Sequence, residues 1–529
     1  MQNERVPLTC IWAGGTPMLA TLKSHSLRGM DTLDVLVEVT VSRGLPQCTI
    51  IGLPDKTIQE ARDRVLTAIR ESGYSIKLSK IIINLSPAEL KKDGGKYDLP
   101  MALAILTALE VIHPKNSSGI SIMGELSLSG EIRGVRGILA MLIGAISSGT
   151  KRFIVPEENR SELEAIDDCE LCFVSTLQEA ANCLETGSGF TLSIPDNKDP
   201  GSWNPDFSNL AIIQGQEMAK RAALIAAAGW HHIVMYGPAG VGKTLLANAI
   251  PGLLAPMSQK EILETRAIYN LFGWEEKGAW DDIKRPIRMP HHSASDIAII
   301  GGGSNPRPGE VSLAHNGVLF LDEFQEFRVQ VLNTLRQPLQ EKKITIARSS
   351  GCATFPAGFL LISAMNSCPC GNYMDGSAHC ICSPWQIRRF YAKIAGPILD
   401  RIDLQVPMMK AREGDLPEPS NFSRWKKALL IARQRQTERY QNCGRPWNGC
   451  VSDDLIIHRI DLKTGLDSLL TEYRKRYAPS PRAVASLLRT ARTIADLDDE
   501  DAILDRHLLE SMQYRKLEEH IKQDQTLWK

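Results

Sequence analysis

Excess charge of either sign is missing from this 529-residue chain: 61 Lys and Arg balance 61 Asp and Glu, for a formal net charge of zero. No global field therefore favours nucleic acid or a membrane surface, and any contact with a polyanion has to come from a local basic patch. Long apolar runs are missing too. The longest stretch, near Gly137 to Ile146, is too short to cross a bilayer. The first residues include polar Gln2, Asn3 and Glu4 and show no signal-peptide pattern, so a cytoplasmic protein with no membrane contact is expected. In that setting the 12 cysteines read as thiols or metal ligands rather than disulfides. No segment recurs at a fixed period. What is present, 43% hydrophobic and 23% charged residues, suits a folded chain of about three domains.

The most specific signal is Gly237-Pro238-Ala239-Gly240-Val241-Gly242-Lys243-Thr244, which fits G-x-x-x-x-G-K-[ST]. An apolar run, His232 to Tyr236, precedes it and reads as a buried strand. Leu245 to Ile250 follows and reads as the start of a helix. Strand, glycine loop and helix are what a phosphate-binding loop needs: the glycines let backbone N–H groups curl around phosphates. Lys243 would reach the β- and γ-phosphates of ATP, and the Thr244 hydroxyl would bind Mg²⁺.

Val318 to Leu321 is a second apolar strand and ends in Asp322 and Glu323. Asp322 would orient Mg²⁺ and Glu323 would polarise the attacking water. Acidic residues at strand ends are common, so the pairing draws its force from the preceding phosphate loop. A third strand, Phe359 to Met365, ends in Asn366, suited to sensing the γ-phosphate or to capping a turn. Arg401, in Asp400-Arg401-Ile402-Asp403, can complete a neighbour's site or pair with the flanking acids. Ser480-Pro481-Arg482 reads as a capped helix start, and Arg482 would be a second nucleotide sensor or a surface cation.

Two C-x-C pairs, Cys368 with Cys370 and Cys380 with Cys382, offer four thiolates for tetrahedral Zn²⁺ in a loop with Gly371 and Gly376. The alternative is four reduced thiols. A zinc here would be structural, and His379 is superfluous to it. Cys169 and Cys172 have no second pair and read as ordinary thiols.

Alternating Val35, Val37, Val39 and Val41 mark a strand, Ile58 to Ile69 a helix ended by Gly73, and Ile81 to Leu85 another strand. A helical pattern spans Leu99 to Leu109, and a β-rich stretch runs from Ile120 to Ile132. These define a mixed α and β segment, 1–185. Residues 186–208 have linker composition. The nucleotide-binding segment is 209–412, and after the break at Glu413 to Pro419 comes a helical segment, 413–529. Lys342 to Phe355 reads as a β-hairpin carrying Lys342, Lys343 and Arg348. Arg388, Arg389 and Lys393 form another basic set. Both are candidates for phosphate contact or plain solvated edges.

The order of phosphate loop, Leu-Asp-Glu, Asn sensor, Asp-Arg-Ile-Asp and late Ser-x-Arg resembles the AAA+ ATPases. Pro290-His291-His292-Ser293-Ala294-Ser295, Gly309-Glu310 to Gly317, Met365-Asn366 to Gly371 and Ala491-Arg492 to Leu497 narrow the resemblance to the magnesium-chelatase-like ATPases of the ComM/YifB group. That group's second loop proline is Ala239 here. The resemblance implies an α/β multidomain chain: a Lon-protease-like α+β N-terminal domain, an AAA+ P-loop parallel-sheet core and a C-terminal helical lid. Gly52 to Asp55, Asn84 to Pro87, Tyr97 to Pro100 and Gly124 to Gly130 carry its Lon-like part. The Lon nucleophile loop aligns with Asp93 to Tyr97, where there is no serine, and the Lon base lysine falls near Leu139, so no peptidase activity is expected. The resemblance further implies a homo-hexameric DNA helicase that acts on single-stranded or branched DNA, with recombination proteins, when imported DNA is integrated during natural transformation. A chelatase-like motor that remodels a protein partner is the alternative. A non-hydrolysing nucleotide switch fits poorly, since Glu323 and Asn366 are both present.

Overall fold

The computed structural model describes residues 18–517 except 43, 53–55, 77–78, 89–91, 93, 116–118, 165, 194–202, 274–283, 304–305, 349–350, 374–379, 395–397, 411–420, 442–444 and 453–465. Leu53 to Asp55, Asp93, Gly376, His379, residues 194–202 of the linker and the break at Glu413 to Pro419 lie outside the described residues. The chain divides into two compact units, one of residues 1–197 with 269–275 and one of 198–268 with 276–529.

In the first unit, the alternation of valines produces the strand Asp31–Ser42, with Val35, Val37 and Val39 fully buried. It pairs antiparallel with Met18–Arg28. Eight strands form one sheet in the order Thr191–Leu192, Glu170–Val174, Arg152–Pro156, Ile120–Ile122, Met18–Arg28, Asp31–Ser42, Lys80–Ser86, Gln47–Ile51. The helices Lys56–Glu71 and Asp98–Ala108 lie where the 3.6-residue periodicity places them. Asp98–Ala108 is apolar on every side, and all its side chains but Thr107 are buried. Gly73, at φ 85°, follows the first of these helices. Cys169 and Cys172 are buried free thiols, as expected, and a hydrogen bond between Cys172 and Cys183 draws the Cys172 thiol down and pushes the Cys183 thiol up.

The second unit is built on a five-stranded, fully parallel sheet in the order Ile287–Arg288, Val318–Leu321, Leu360–Asn366, Ile233–Gly237, Leu404–Pro407. Its strands Val318–Leu321 and Ile233–Gly237 are buried along their whole length and carry no charged residue, as expected where both faces are covered. The alanine-rich helix Glu217–Gly229 packs on the last strand and on helix Pro481–Leu497. Small side chains allow that close approach. The register sets Gly237 opposite Asn366 and Leu321 opposite Ser363, so the strands' carboxyl ends share one edge. Helix Lys243–Ala249 begins two residues earlier than the apolar pattern indicates, because left-handed Gly242 (φ 92°) completes the turn by that point. The expected hairpin is present as Lys343–Arg348 paired with Gly351–Pro356, with Lys342 in the left-handed region at its root.

The C-terminal helices Phe422–Arg439, Leu466–Tyr477, Pro481–Leu497 and Asp505–Gln513 belong to this same unit. A buried polar chain ties Pro481–Leu497 to the sheet. His231 Nδ1 lies 3.0 Å from Asp403 Oδ2, and its Nε2 lies 2.7 Å from Thr493 Oγ1. Ser486 donates to Asp403, and Arg515 donates to Ser486 at 3.1 Å. Burial alone would push the Asp403 carboxyl up, yet His231, and after it the charges of Arg489 and His232, hold it far below the usual range.

Candidate nucleotide site and cysteine centre

At the carboxyl edge of the parallel sheet, Lys243 Nζ donates to the carbonyls of Gly237 (2.8 Å) and Pro238 (2.6 Å) and to Asn366 Oδ1 (3.2 Å). Burial lowers the Lys243 pKa, while Asp322 opposes that shift. Gly240 and Gly242 adopt φ 78° and 92°, left-handed values that turn the loop. A Cβ on either would meet nothing within 4 Å, which leaves their backbone open to an approaching group. Gly237 differs: a Cβ there would lie 2.1 Å from the Met408 carbonyl oxygen, so the neighbouring strand end admits only glycine.

Thr244 Oγ1 donates to Asp322 Oδ2 at 3.2 Å, and the Glu323 amide donates to Asp322 Oδ1 at 2.9 Å. Hydroxyl and carboxylate together make the hard oxygen set that suits Mg²⁺. Glu323 has φ 48°, a strained value for a non-glycine residue. Its side chain is about half exposed (54%). His292 Nδ1 lies 3.3 Å from Glu323 Oε2, and the His292 ring is tilted by 34° against that of His291, with 4.1 Å between centroids. The Pro290-His291-His292 run stands out in the sequence, but nothing in it assigns His292 to Glu323.

Lys243, Thr244, Asp322, Glu323 and Asn366 thus converge. Arg401 and Arg482 converge on each other. Arg401 Nη2 donates to Gln340 Oε1 at 3.0 Å. Burial lowers the Arg401 pKa, and the nearby charges of Arg482 and then Arg336 add to that effect. Ser480 caps helix Pro481–Leu497 by accepting from Ala483 N (3.1 Å), and its Oγ donates to Asp400 Oδ1 at 2.9 Å. That bond sets the helix start carrying Arg482 beside Arg401. Arg336 and Gln340 lie four apart on one helix, Arg336–Glu341. Sequence reasoning passes over both because neither sits in a motif.

Sγ atoms of Cys368, Cys370, Cys380 and Cys382 all lie within 4.8 Å of one another. Three of the separations are 3.3, 3.7 and 3.6 Å. Tetrahedral Zn–S bonds of ~2.3 Å require sulfurs ~3.7 Å apart, so the set fits the ion. Tyr373 N donates to Cys368 Sγ at 3.3 Å, and the Asn372 and Ile381 amides pull the Cys370 thiol down to about 6. A Cβ added at Gly371 (φ 80°) would lie 3.7 Å from Ala239 Cβ, so the knuckle lies beside the phosphate loop.

In the first unit, Leu139 is buried, and a Cβ on Gly95 would collide with Glu125 at 2.5 Å. A buried lysine, Lys92, donates to the carbonyls of Gly52 and Pro87.

Residues 209–416 match the family described as "Magnesium chelatase, subunit ChlI". Residues 37–159 match "Subunit ChlI of Mg-chelatase", and 421–515 match its C-terminal counterpart. YifB of Salmonella typhimurium is 39% identical over 507 residues, covering 94% of this chain and 97% of that protein. Competence protein ComM of Haemophilus influenzae is 36% identical over 508 residues, covering 94% and 98%. Lon protease 2 of Bacillus subtilis is 30% identical over 162 residues, 28% of this chain and 29% of that protein.

Proposed function

This chain belongs to the ComM/YifB-type magnesium-chelatase-like family, and from that premise we propose that it is an ATP-hydrolysing DNA motor. It acts as a homo-hexameric helicase on single-stranded or branched DNA, with recombination proteins, and promotes branch migration as imported DNA is integrated. The observation that carries the reading is the convergence of Lys243, Thr244, Asp322, Glu323 and Asn366 at one sheet edge. The Haemophilus relative is named a competence protein, which supports the DNA substrate.

Lys243 exchanges its carbonyl partners for the β- and γ-phosphates of ATP. Thr244 and Asp322 would hold Mg²⁺, which when bound neutralises charge on those phosphates. Asn366 orients the γ-phosphate or the water, and Glu323 takes the water's proton. Arg401 and Arg482 are presented as a pair to the neighbouring subunit's site, where they stabilise transition-state charge. Cys368, Cys370, Cys380 and Cys382 would hold structural Zn²⁺, whose role is to fix the knuckle. The Lon-like segment serves assembly or substrate capture and has no peptidase activity. Support for that comes from the lack of a serine between Asp93 and Tyr97, from Leu139 near the place of the base lysine, and from the engagement of Lys92 with carbonyls.

The test is a three-stranded DNA junction with ATP and Mg²⁺. The protein should move the branch, and DNA should stimulate its ATPase. Hydrolysis without branch movement overturns the reading. ATPase indifferent to DNA but raised by a protein partner transfers the chain to the chelatase-like alternative.

A further inference from the structure

The helix Pro384–Ala392 follows the cysteine knuckle and has a full capping box: Ser383 Oγ accepts from Gln386 N (3.3 Å), and Gln386 Oε1 accepts from Ser383 N (2.8 Å). That cap fixes the direction of the first turn. The inward side of the helix is anchored. Phe390 and Tyr391 are buried, and Tyr391 OH donates to Ser367 O at 2.8 Å, one residue past Asn366. The outward side is unusual. Trp385 is 64% exposed, and Ile381 in the knuckle is 86% exposed. Arg389 lies over the Trp385 ring, 5.4 Å from its centroid, at i+4. Arg388 and Lys393 are exposed beside it, and the helix itself has no acidic side chain.

An indole left in water forfeits the burial that aromatic side chains usually gain, so its position calls for a partner. An all-cationic, aromatic-bearing face is complementary to a phosphate backbone with unstacked bases: the ring meets a base and the guanidinium and ammonium groups meet phosphates. We propose that Trp385, with Arg388, Arg389 and Lys393, forms a stacking and phosphate-binding platform for single-stranded DNA. This inference rests on the DNA-motor reading and deepens it by naming the surface that grips the strand. Because Tyr391 is bonded to Ser367, a strand held on this helix acts on the segment that carries Asn366.

Binding of a fluorescein-labelled oligothymidine to the full-length protein, followed by anisotropy across a salt series, tests the proposal. Trp385→Ala should weaken binding roughly 5- to 150-fold, and Trp385→Phe should retain most of the affinity. Arg388→Ala and Arg389→Ala should each lower the slope of log affinity against log salt by about 0.7 for every phosphate left without its cation. These slopes keep the proposal falsifiable if Trp385→Ala fails to fold by circular dichroism. Unchanged affinity and slopes in variants of a DNA-binding wild type overturn the platform and leave the motor reading standing. A wild type that binds no DNA overturns both. Weakened binding in Trp385→Ala that tracks a loss of subunit assembly on size exclusion overturns the platform, because the face is then an interface between copies of the chain.

Discussion

Complementation between two inactive variants is the sharpest consequence of the site's two-part geometry. Lys243 is committed to Gly237, Pro238 and Asn366, whereas Arg401 is held by Gln340 next to Arg482. If each active seam takes its phosphate loop from one subunit and its arginine from the next, Arg401→Ala and Lys243→Ala damage opposite sides of the seam. Loss of such an arginine slows hydrolysis by about 10³–10⁵, or about 4–7 kcal/mol of barrier. Arg401→Ala should still bind a non-hydrolysable ATP analogue with its affinity nearly unchanged. In rings assembled at random from a one-to-one mixture, half the seams have an intact loop and half of those an intact arginine. About a quarter of wild-type ATPase should therefore return. The assay is steady-state phosphate release after subunit mixing. A mixture as dead as its parents, or an Arg401→Ala variant with full activity alone, refutes action across the seam.

Glu323→Gln should bind ATP normally but hydrolyse it about 10²–10⁴ times more slowly, as measured by single-turnover phosphate release; unchanged turnover removes the water-activation role. Cys370→Ser with Cys380→Ser should abolish zinc in elemental analysis and weaken binding of a fluorescent ATP analogue, because the knuckle lies beside Ala239 of the loop; full nucleotide affinity without metal would uncouple the two. His232 accepts from Leu361 N at 3.0 Å and is pushed down to about 3, chiefly by burial and then by Lys342. The unfolded chain binds the extra proton first. The contribution of neutral His232, up to about 5 kcal/mol, is therefore complete above about pH 6.5 and drains away as pH falls towards 3. His232→Asn keeps an acceptor that does not titrate and should flatten that part of the thermal-midpoint profile; an unaltered profile counts against it.

The phosphate loop, the three strands behind it, the hairpin and the capped start of helix Pro481–Leu497 were legible because each is encoded within a few consecutive residues. Apolar runs, glycines at set offsets and a Ser-Pro pair need no knowledge of the rest of the chain. The C-x-C pairs were legible for the same reason. What could not be read arises from distant side chains. Gln340 meets Arg401 across 61 positions and His231 meets Asp403 across 172. His292 reaches Glu323, and Gly371 reaches Ala239, only after the sheet has aligned their strands. The placement of Arg482 beside Arg401 depends on one hydroxyl, that of Ser480, bonding Asp400.

The enclosed chain of Asp403, His231, Thr493 and Ser486 has a mechanical meaning. His231 stands two residues before the strand that feeds the phosphate loop, and Thr493 and Ser486 belong to the helix whose first turn bears Arg482. Because these groups are buried and bonded to one another, the chain ties that helix to the approach of that strand. In the proposed ring, a tilt of the phosphate loop on binding ATP would pass along this chain to the helix that carries Arg482, and so to the neighbouring subunit.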